Sequence, residues 1–286
     1  MKPAPFEYLR PATLNDAIAA LDHDDAKIIA GGQSLVPMMN FRLVTPERLV
    51  DINDISELAG ITMSGETLQI GALVRHVQAA RDPDLARHLP AVAEAMAHVA
   101  HVAIRNRGTI GGSLVHADPS AEWPLLVRLL DGTLEILGPD GMRSAAPRDF
   151  FIAPLVTDLT EDEVLTGVTL PIPEAGTGMA FDEIALRAGD FAVVSCGATL
   201  TLKAGRITSA RLAFGGLGDT PLRLPEIEAA LIGQAPDDIA GIVANCADTL
   251  EPNEDMHASV AYRKRLAPVL ARRVLERAAG RAGGTT

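Results

Sequence analysis

Two short stretches decide how this chain reads: Ala30-Gly31-Gly32-Gln33-Ser34-Leu35 and Thr109-Ile110-Gly111-Gly112-Ser113-Leu114. Each joins a glycine pair to a serine and a leucine. Paired glycines let the backbone take positive φ and approach a ligand closely. Successive N–H groups can then converge on an anion. The hydroxyls of Ser34 and Ser113 are donors that a phosphate can take. Two such loops suit one diphosphate held between them. Each stretch alone is also readable as a tight turn from a strand into a helix.

Lys27-Ile28-Ile29-Ala30 is a short apolar run that stops at Gly31, the pattern of a strand entering a tight loop. Upstream, Thr13 stands before Leu14, Ala17, Ile18 and Leu21, which recur at helical spacing, so Thr13 is the expected N-cap. Arg48 to Ile52 reads as a second strand. Ile61 to Gly71 reads as a hairpin turning at Ser64-Gly65, and Thr133 onward through Gly138-Pro139-Asp140-Gly141 as another. Val74 to Arg81 and Leu89 to Val102 read as helices. Pro171 to Gly178 (PIPEAGTG) is rich in Pro and Gly and predicts a linker. Strands are expected beyond it at 192–202, 206–207 and 209–214, then a helix at 224–231. A long helix is expected over 257–279, interrupted only by Pro268. Strands and helices interleave irregularly, so the fold class is α+β.

Composition narrows the function. The 286 residues carry a formal net charge of −12, which disfavours nucleic acid as a partner because phosphate contacts need a basic face. No apolar run of about 18 residues is present, so no transmembrane segment is expected. Glu7, Arg10 and Asp16 fall where a signal peptide needs unbroken apolar residues, and a cytoplasmic location is expected. Cys196 and Cys246 are the only cysteines, too few for a zinc site or an iron–sulfur cluster. His98 and His101 are placed at i, i+3 on a helix but have no third ligand at a recognisable spacing, so no metal site is expected. Gly216-Leu217-Gly218 begins like a dinucleotide fingerprint, but Pro221 takes the third glycine position. His116 and Asp118, close after the second glycine stretch, are candidates for lying near a ligand. The basic residues Arg263, Lys264, Arg265, Arg272, Arg273, Arg277 and Arg281 suit either a solvated helix face or a docking surface for an acidic partner.

The ordered motifs carry a resemblance. Pro5-Phe6-Glu7-Tyr8-Leu9-Arg10-Pro11, AGGQSL at 30–35, LVDIND at 49–54, IRNRGTIGGSL at 104–114, RAGDFA at 187–192, AFGG at 213–216 and Tyr262-Arg263 follow one another along nearly the whole chain. In this order they resemble the FAD-binding medium subunit of the molybdenum hydroxylases, the carbon monoxide dehydrogenase and xanthine dehydrogenase group. The resemblance implies a two-lobed FAD-binding domain of the vanillyl-alcohol oxidase type over 1–176, with the lobe boundary near 56. A smaller C-terminal α+β domain over 177–286 would follow.

The resemblance also implies that Ala30, Gly31, Gly32, Gln33, Ser34 and Leu35, with Thr109, Ile110, Gly111, Gly112 and Ser113, hold the FAD diphosphate. It puts Asp118 against the cofactor and Phe191 near the isoalloxazine ring, where many relatives carry Tyr. No catalytic side chain is implied. The expected function is electron transfer from [2Fe–2S] clusters on a small partner subunit, through FAD, to an external acceptor. Substrate oxidation would fall to a large molybdenum-cofactor subunit, and the assembly would be a dimer of heterotrimers. A free-standing FAD-dependent oxidoreductase on the same fold and a scaffold that has lost FAD are the alternatives. Neither glycine stretch carries a His or Cys for covalent flavin attachment.

Overall fold

The protein is described by a computed structural model over residues 1–248 and 250–284. Arg48–Asp51 is the middle strand of a three-stranded parallel sheet, flanked by Glu7–Leu9 and Ala26–Ile29. Its Leu49 and Val50 are buried, as the centre of a parallel sheet requires. The helix Leu14–Leu21 starts where its spacing predicts, with the Thr13 side chain accepting the Asp16 N–H. Ala17 and Leu21 close a small core over Val50, Ile52 and Leu58.

The next sheet has five antiparallel strands in the order Ile61–Ser64, Thr67–Gly71, Val164–Pro171, Thr133–Gly138 and Gly141–Ala145. Both predicted hairpins form its edges. Val164–Pro171, unassigned from the sequence, joins them at the centre. Residues on both of its faces are buried, so it lacks the strict alternation that marks Thr133–Gly138. Helices Pro90–His98 and Glu122–Leu129 pack with this sheet in one apolar core around the fully buried Trp123.

The last sheet is a four-stranded antiparallel one: Thr177–Ala185, Ala192–Lys203, Arg206–Gly215 and Leu222–Arg223. The two strands expected at 206–207 and 209–214 are one continuous strand through Thr208. The helix Val260–Ala282 crosses this sheet with Leu266, Leu270, Val274 and Ala278 buried at helical spacing. Met179, Phe181 and Ala213 join the core around Trp123. The four-stranded sheet thus lies between the terminal helix and the helices of the preceding region. Within the proline-rich stretch, Pro171 ends one strand and Thr177 begins the next.

Three local expectations change. The helix expected over 89–102 ends at His98, because Ala100 adopts φ +40°; a short turn, Val102–Arg105, follows. His98 and His101 therefore do not share a helix. The helix expected over 74–81 contracts to His76–Ala79. Most of the terminal helix's basic side chains are engaged within the chain. Arg263 is buried and donates to Val193 O, to Gly216 O at 2.8 Å and to Asp255 at 2.6 Å. Arg277 and Arg281 reach Glu94 and the carbonyls of Phe181 and Met179. These arginines clamp the helix to the sheet and to Pro90–His98, which neither sequence reading anticipated.

Candidate cofactor site

The first glycine stretch opens onto a cleft of about 660 Å³ between the parallel sheet and the 105–109 segment. Ala30, Gly31, Gly32 and Gln33 line it, with Arg10, Asp51, Asn53, Arg75, Asn106 and Arg107 among the facing residues. The local fold follows from the chain order. Ala26–Ile29 ends, the backbone turns through Gly32 at φ +68°, and a short helix, Leu35–Asn40, begins. Gly31 is required by proximity. A Cβ there would lie 2.3 Å from Arg107 O and 2.9 Å from Gly108 Cα. The two glycine-bearing segments therefore touch, backbone to backbone.

The hydrogen-bond ledger of this turn is incomplete. Among the described residues, nothing accepts from the backbone N–H groups of Gly31, Gly32, Gln33, Ser34 and Leu35. Gln33 Nε2 donates to Gly31 O at 2.9 Å, which braces the turn without consuming those N–H groups. Five successive unpaired donors beside an open cleft are suited to an anion.

The charges around the cleft agree. Burial and the neighbouring Arg107 guanidinium lower the Arg75 pKa, with Asp51 opposing, so a negative ligand would relieve Arg75. Arg75 also donates to Asn53 Oδ1 at 2.5 Å and to Arg107 O, tying the parallel-sheet side to the 105–109 segment. Asp51 sits at the end of its strand. Burial pushes its carboxyl up, but hydrogen bonds from Tyr8 and Asn53, with Arg10 nearby, hold it below the usual range. Asn53 Nδ2 reaches Ala30 O at 2.8 Å and Asp51 Oδ1 at 2.6 Å. The result is a fixed polar wall opposite the free amides. The residues present fit an extended cofactor with an anionic centre.

The second stretch is built differently from the first. It is the start of a helix, Ile110–His116, with Thr109 as N-cap. Its amides are already used. Ile110 N–H goes to Val74 O, Gly111 N–H to Ala72 O, Gly112 N–H to Thr109 Oγ1, and Ser113 N–H to Thr109 O. The expected convergence of free N–H groups on an anion does not occur here. Gly111 serves packing, since a Cβ on it would sit 2.5 Å from Ala72 Cβ. Beneath Gly108, the ring of buried His76 accepts from Trp123 Nε1 at 3.1 Å. Burial, with Arg105 and Arg75 nearby, depresses the His76 pKa to about 4.

The remaining predicted residues lie outside the cleft lining. Ser34 and Leu35 continue the turn into its helix. Asp118 Oδ1 accepts Ser120 N–H at 2.8 Å, and Pro119 O accepts Gly216 N–H at 2.9 Å, so this turn meets the AFGG motif. Phe191 is 62% exposed on the connection from Thr177–Ala185 to Ala192–Lys203. That connection leans on the 100–101 segment, because Gly189 packs against His101. Arg10, Asp51, Asn53, Arg75 and Arg107 were not singled out as site residues from the sequence. Four of them lie inside the quoted PFEYLRP, LVDIND and IRNRG motifs, which was the available signal.

Comparison with known proteins identifies the family. Residues 4–173 match the model described as the FAD binding domain in molybdopterin dehydrogenase, and residues 179–278 match the carbon monoxide dehydrogenase flavoprotein C-terminal domain. The chain is an FAD-binding medium subunit of the molybdenum hydroxylase family. It is 38% identical to the caffeine dehydrogenase subunit beta of a Pseudomonas species, over 98% of this chain and 97% of that protein. It is 36% identical to the carbon monoxide dehydrogenase medium chain of Afipia carboxidovorans, over 99% of each. The crystal structure of quinoline 2-oxidoreductase from Pseudomonas putida matches with a TM-score of 0.94 and 41% identity, covering 100% of this chain and 99% of that one. This medium subunit is thus an oxidoreductase component whose own chain carries an FAD-binding domain. Among the described residues, no helix is long and apolar enough to cross a membrane, and no group of three or more His, Cys, Asp or Glu is arranged to hold a metal.

Proposed function

We propose that this medium subunit passes electrons from [2Fe–2S] clusters on a small partner subunit, through its own FAD, to an external acceptor. A large partner subunit carries the molybdenum cofactor and oxidises the substrate, and the assembly is a dimer of heterotrimers in the cytoplasm. The relatives support the division of labour by their names, as medium chains and subunits of dehydrogenases. The FAD-binding part is residues 1–176, two lobes of the vanillyl-alcohol oxidase type divided near residue 56, and residues 177–286 form the C-terminal domain.

The observation that carries the reading is the row of unpaired N–H groups at residues 31–35. In this reading they hold the FAD diphosphate, with Ala30 as the rim of the turn and Arg75 and Arg107 supplying positive charge. Thr109, Ile110, Gly111 and Gly112 keep the opposite wall in place, and Ser113 offers a hydroxyl. Asp118 and Phe191 contact the cofactor farther along. Bound FAD supplies a carrier that couples one-electron to two-electron partners; the protein's work is to bind, orient and tune it. No residue of this chain is assigned as an acid or base toward substrate.

The test is a visible spectrum of the purified chain with chromatographic identification of any released cofactor. About one FAD per chain is expected, together with co-purification of an iron–sulfur and a molybdenum subunit. A folded chain that takes up no FAD, alone or in the complex, would overturn the reading.

A further inference from the structure

A second polar cluster lies away from the main cleft, between the Asp118 turn and the four-stranded sheet. Glu183 and Ser195 are directly paired across adjacent strands, and Ser195 is paired in turn with Gly215. Paired residues present their side chains to the same face of a sheet. Here that face is the one beneath Glu122–Leu129, since a Cβ on Gly215 would touch Ser195 Oγ at 2.5 Å, Pro119 O at 3.1 Å and Leu125 at 3.5 Å. Glu183 Oε1 is 3.4 Å from His98 Nδ1, and the Glu183 side chain is only 3% exposed. Its other oxygen and Ser195 Oγ are both buried with no hydrogen-bond partner. Two orphaned oxygens on one face are costly unless a proton or a bridging water joins them.

Glu122 is the first residue of the helix over this face, four positions after Asp118. It is buried, and burial together with the charges of Glu183 and Asp118 raises its pKa to about 8, with His98 acting in the opposite sense. Burial thus favours the protonated form of this carboxyl at neutral pH. On the far side, His98 opens onto a second cleft of about 180 Å³ that Glu183, Arg187 and Gly189 also line. The Glu183 hydrogen bond raises the His98 pKa against its burial, and Asp182 adds to the same effect. Asp182 lies 3.7 Å from Arg273 of the terminal helix.

We propose that His98, Glu183 and Glu122 form a proton relay leading from the second cleft to the Asp118 turn, with a water bridging the orphaned oxygens of Glu183 and Ser195. The proposal rests on the reading of this chain as a flavin subunit, in which Asp118 faces the cofactor. Full two-electron reduction of a flavin held here would take up at least one proton, drawn ultimately from solvent. A proton leaving Glu122 toward the Asp118 turn is replaced through Glu183 from His98, and His98 recovers its proton from solvent. No net charge is left in the buried cluster.

The test uses the full chain loaded with FAD. Infrared titration should show a protonated carboxyl band at pH 7 that disappears as the pH rises through about 8 and is absent in Glu122→Gln. Photoreduction in the presence of a pH-indicator dye should show proton uptake slowed at least about tenfold in Glu183→Gln, with FAD content unchanged and partial recovery in Glu183→Asp. Uptake at the wild-type rate in Glu183→Gln, or no such band at pH 7, would overturn the relay. Should Glu183→Gln not fold, the Glu122 band and its loss in Glu122→Gln decide alone. A chain that never holds FAD would defeat the functional reading instead, and the same titration without FAD would still decide whether Glu122 stores a proton.

Discussion

Gly31→Ala isolates the contact on which the cofactor site rests. Gly31 is not at positive φ, so the change adds a methyl group without backbone strain of its own. That methyl would lie 2.3 Å from Arg107 O, whereas ordinary contacts begin at 3.4 Å. Neither neighbour is a flexible side chain, so the turn and the 105–109 segment must move apart by about 1 Å. Overpacking of this kind costs about 1–3 kcal/mol. If the turn holds the diphosphate as proposed, displacing it moves its donors, and the cost passed to binding is roughly a 5- to 150-fold rise in the FAD Kd. Titration of the stripped chain with FAD, followed by flavin fluorescence, measures it. Gly65→Ala is the control. Gly65 sits at φ +59° in a hairpin turn with nothing within 4 Å, so its substitution should cost about 1 kcal/mol of stability and leave FAD binding unchanged. Wild-type FAD affinity in a folded Gly31→Ala chain would refute the placement of the diphosphate at this turn.

Gly112→Ala should be milder than Gly31→Ala. Its Cβ would meet only Thr109 Oγ1, at 2.8 Å, so the loss is a disturbed helix cap, about 1 kcal/mol in melting experiments, with little change in FAD affinity. Glu122→Gln should remove a pH dependence of stability. Between 4.5 and about 8 the folded chain holds a proton that the unfolded chain has released, so stability falls as pH rises across that window. The full drop is roughly 5 kcal/mol, and denaturant titrations at several pH values should show this downward component in the wild type and lack it in Glu122→Gln, with the histidine contributions common to both. Glu163 behaves in the opposite sense. Its hydrogen bonds to Arg143 outweigh burial and lower its pKa from 4.5 to about 2, so its contribution is present above 4.5 and lost as pH falls toward 2. Glu163→Gln should cost about 1–3 kcal/mol at pH 7 after allowance for solvent screening and much less near pH 2.

The parts legible in the sequence were those set by local rules. The Thr13 cap, both hairpins and the long terminal helix followed from capping, turn residues and apolar spacing. What escaped was decided by distant residues. Val164–Pro171 is a strand because two hairpins, far apart in sequence, close on it from either side. The 89–102 helix breaks at Ala100, where no Gly or Pro announces a break, and the following loop carries the carbonyls of Val99 and Ala100 to Arg105. In the candidate site, the glycine pairs were visible as motifs. The facing wall was not, since Arg75 joins Asn53 only through the tertiary fold.

The likeness of the two glycine stretches conceals a division of labour. A sequence pattern fixes which backbone conformations are cheap, not which hydrogen bonds remain unmade. At 31–35 the chain leaves an edge strand, and among the described residues no neighbouring strand or loop claims its amides. At 110–113 the chain runs beside residues 72–76, whose carbonyls take the first two amides, while Thr109 takes the next two. Glycine at 111 therefore serves close packing, and glycine at 31 serves close packing that leaves donors free. One stretch supplies hydrogen-bond capacity and the other supplies a rigid surface for it to work against. They are joined where Gly31 meets Arg107 and Gly108, and where Arg75 ties Asn53 to the Arg107 carbonyl. A cofactor gripped at that junction would be bound by one segment and positioned by the other, which explains why both must be short of side-chain bulk although only one offers free amides.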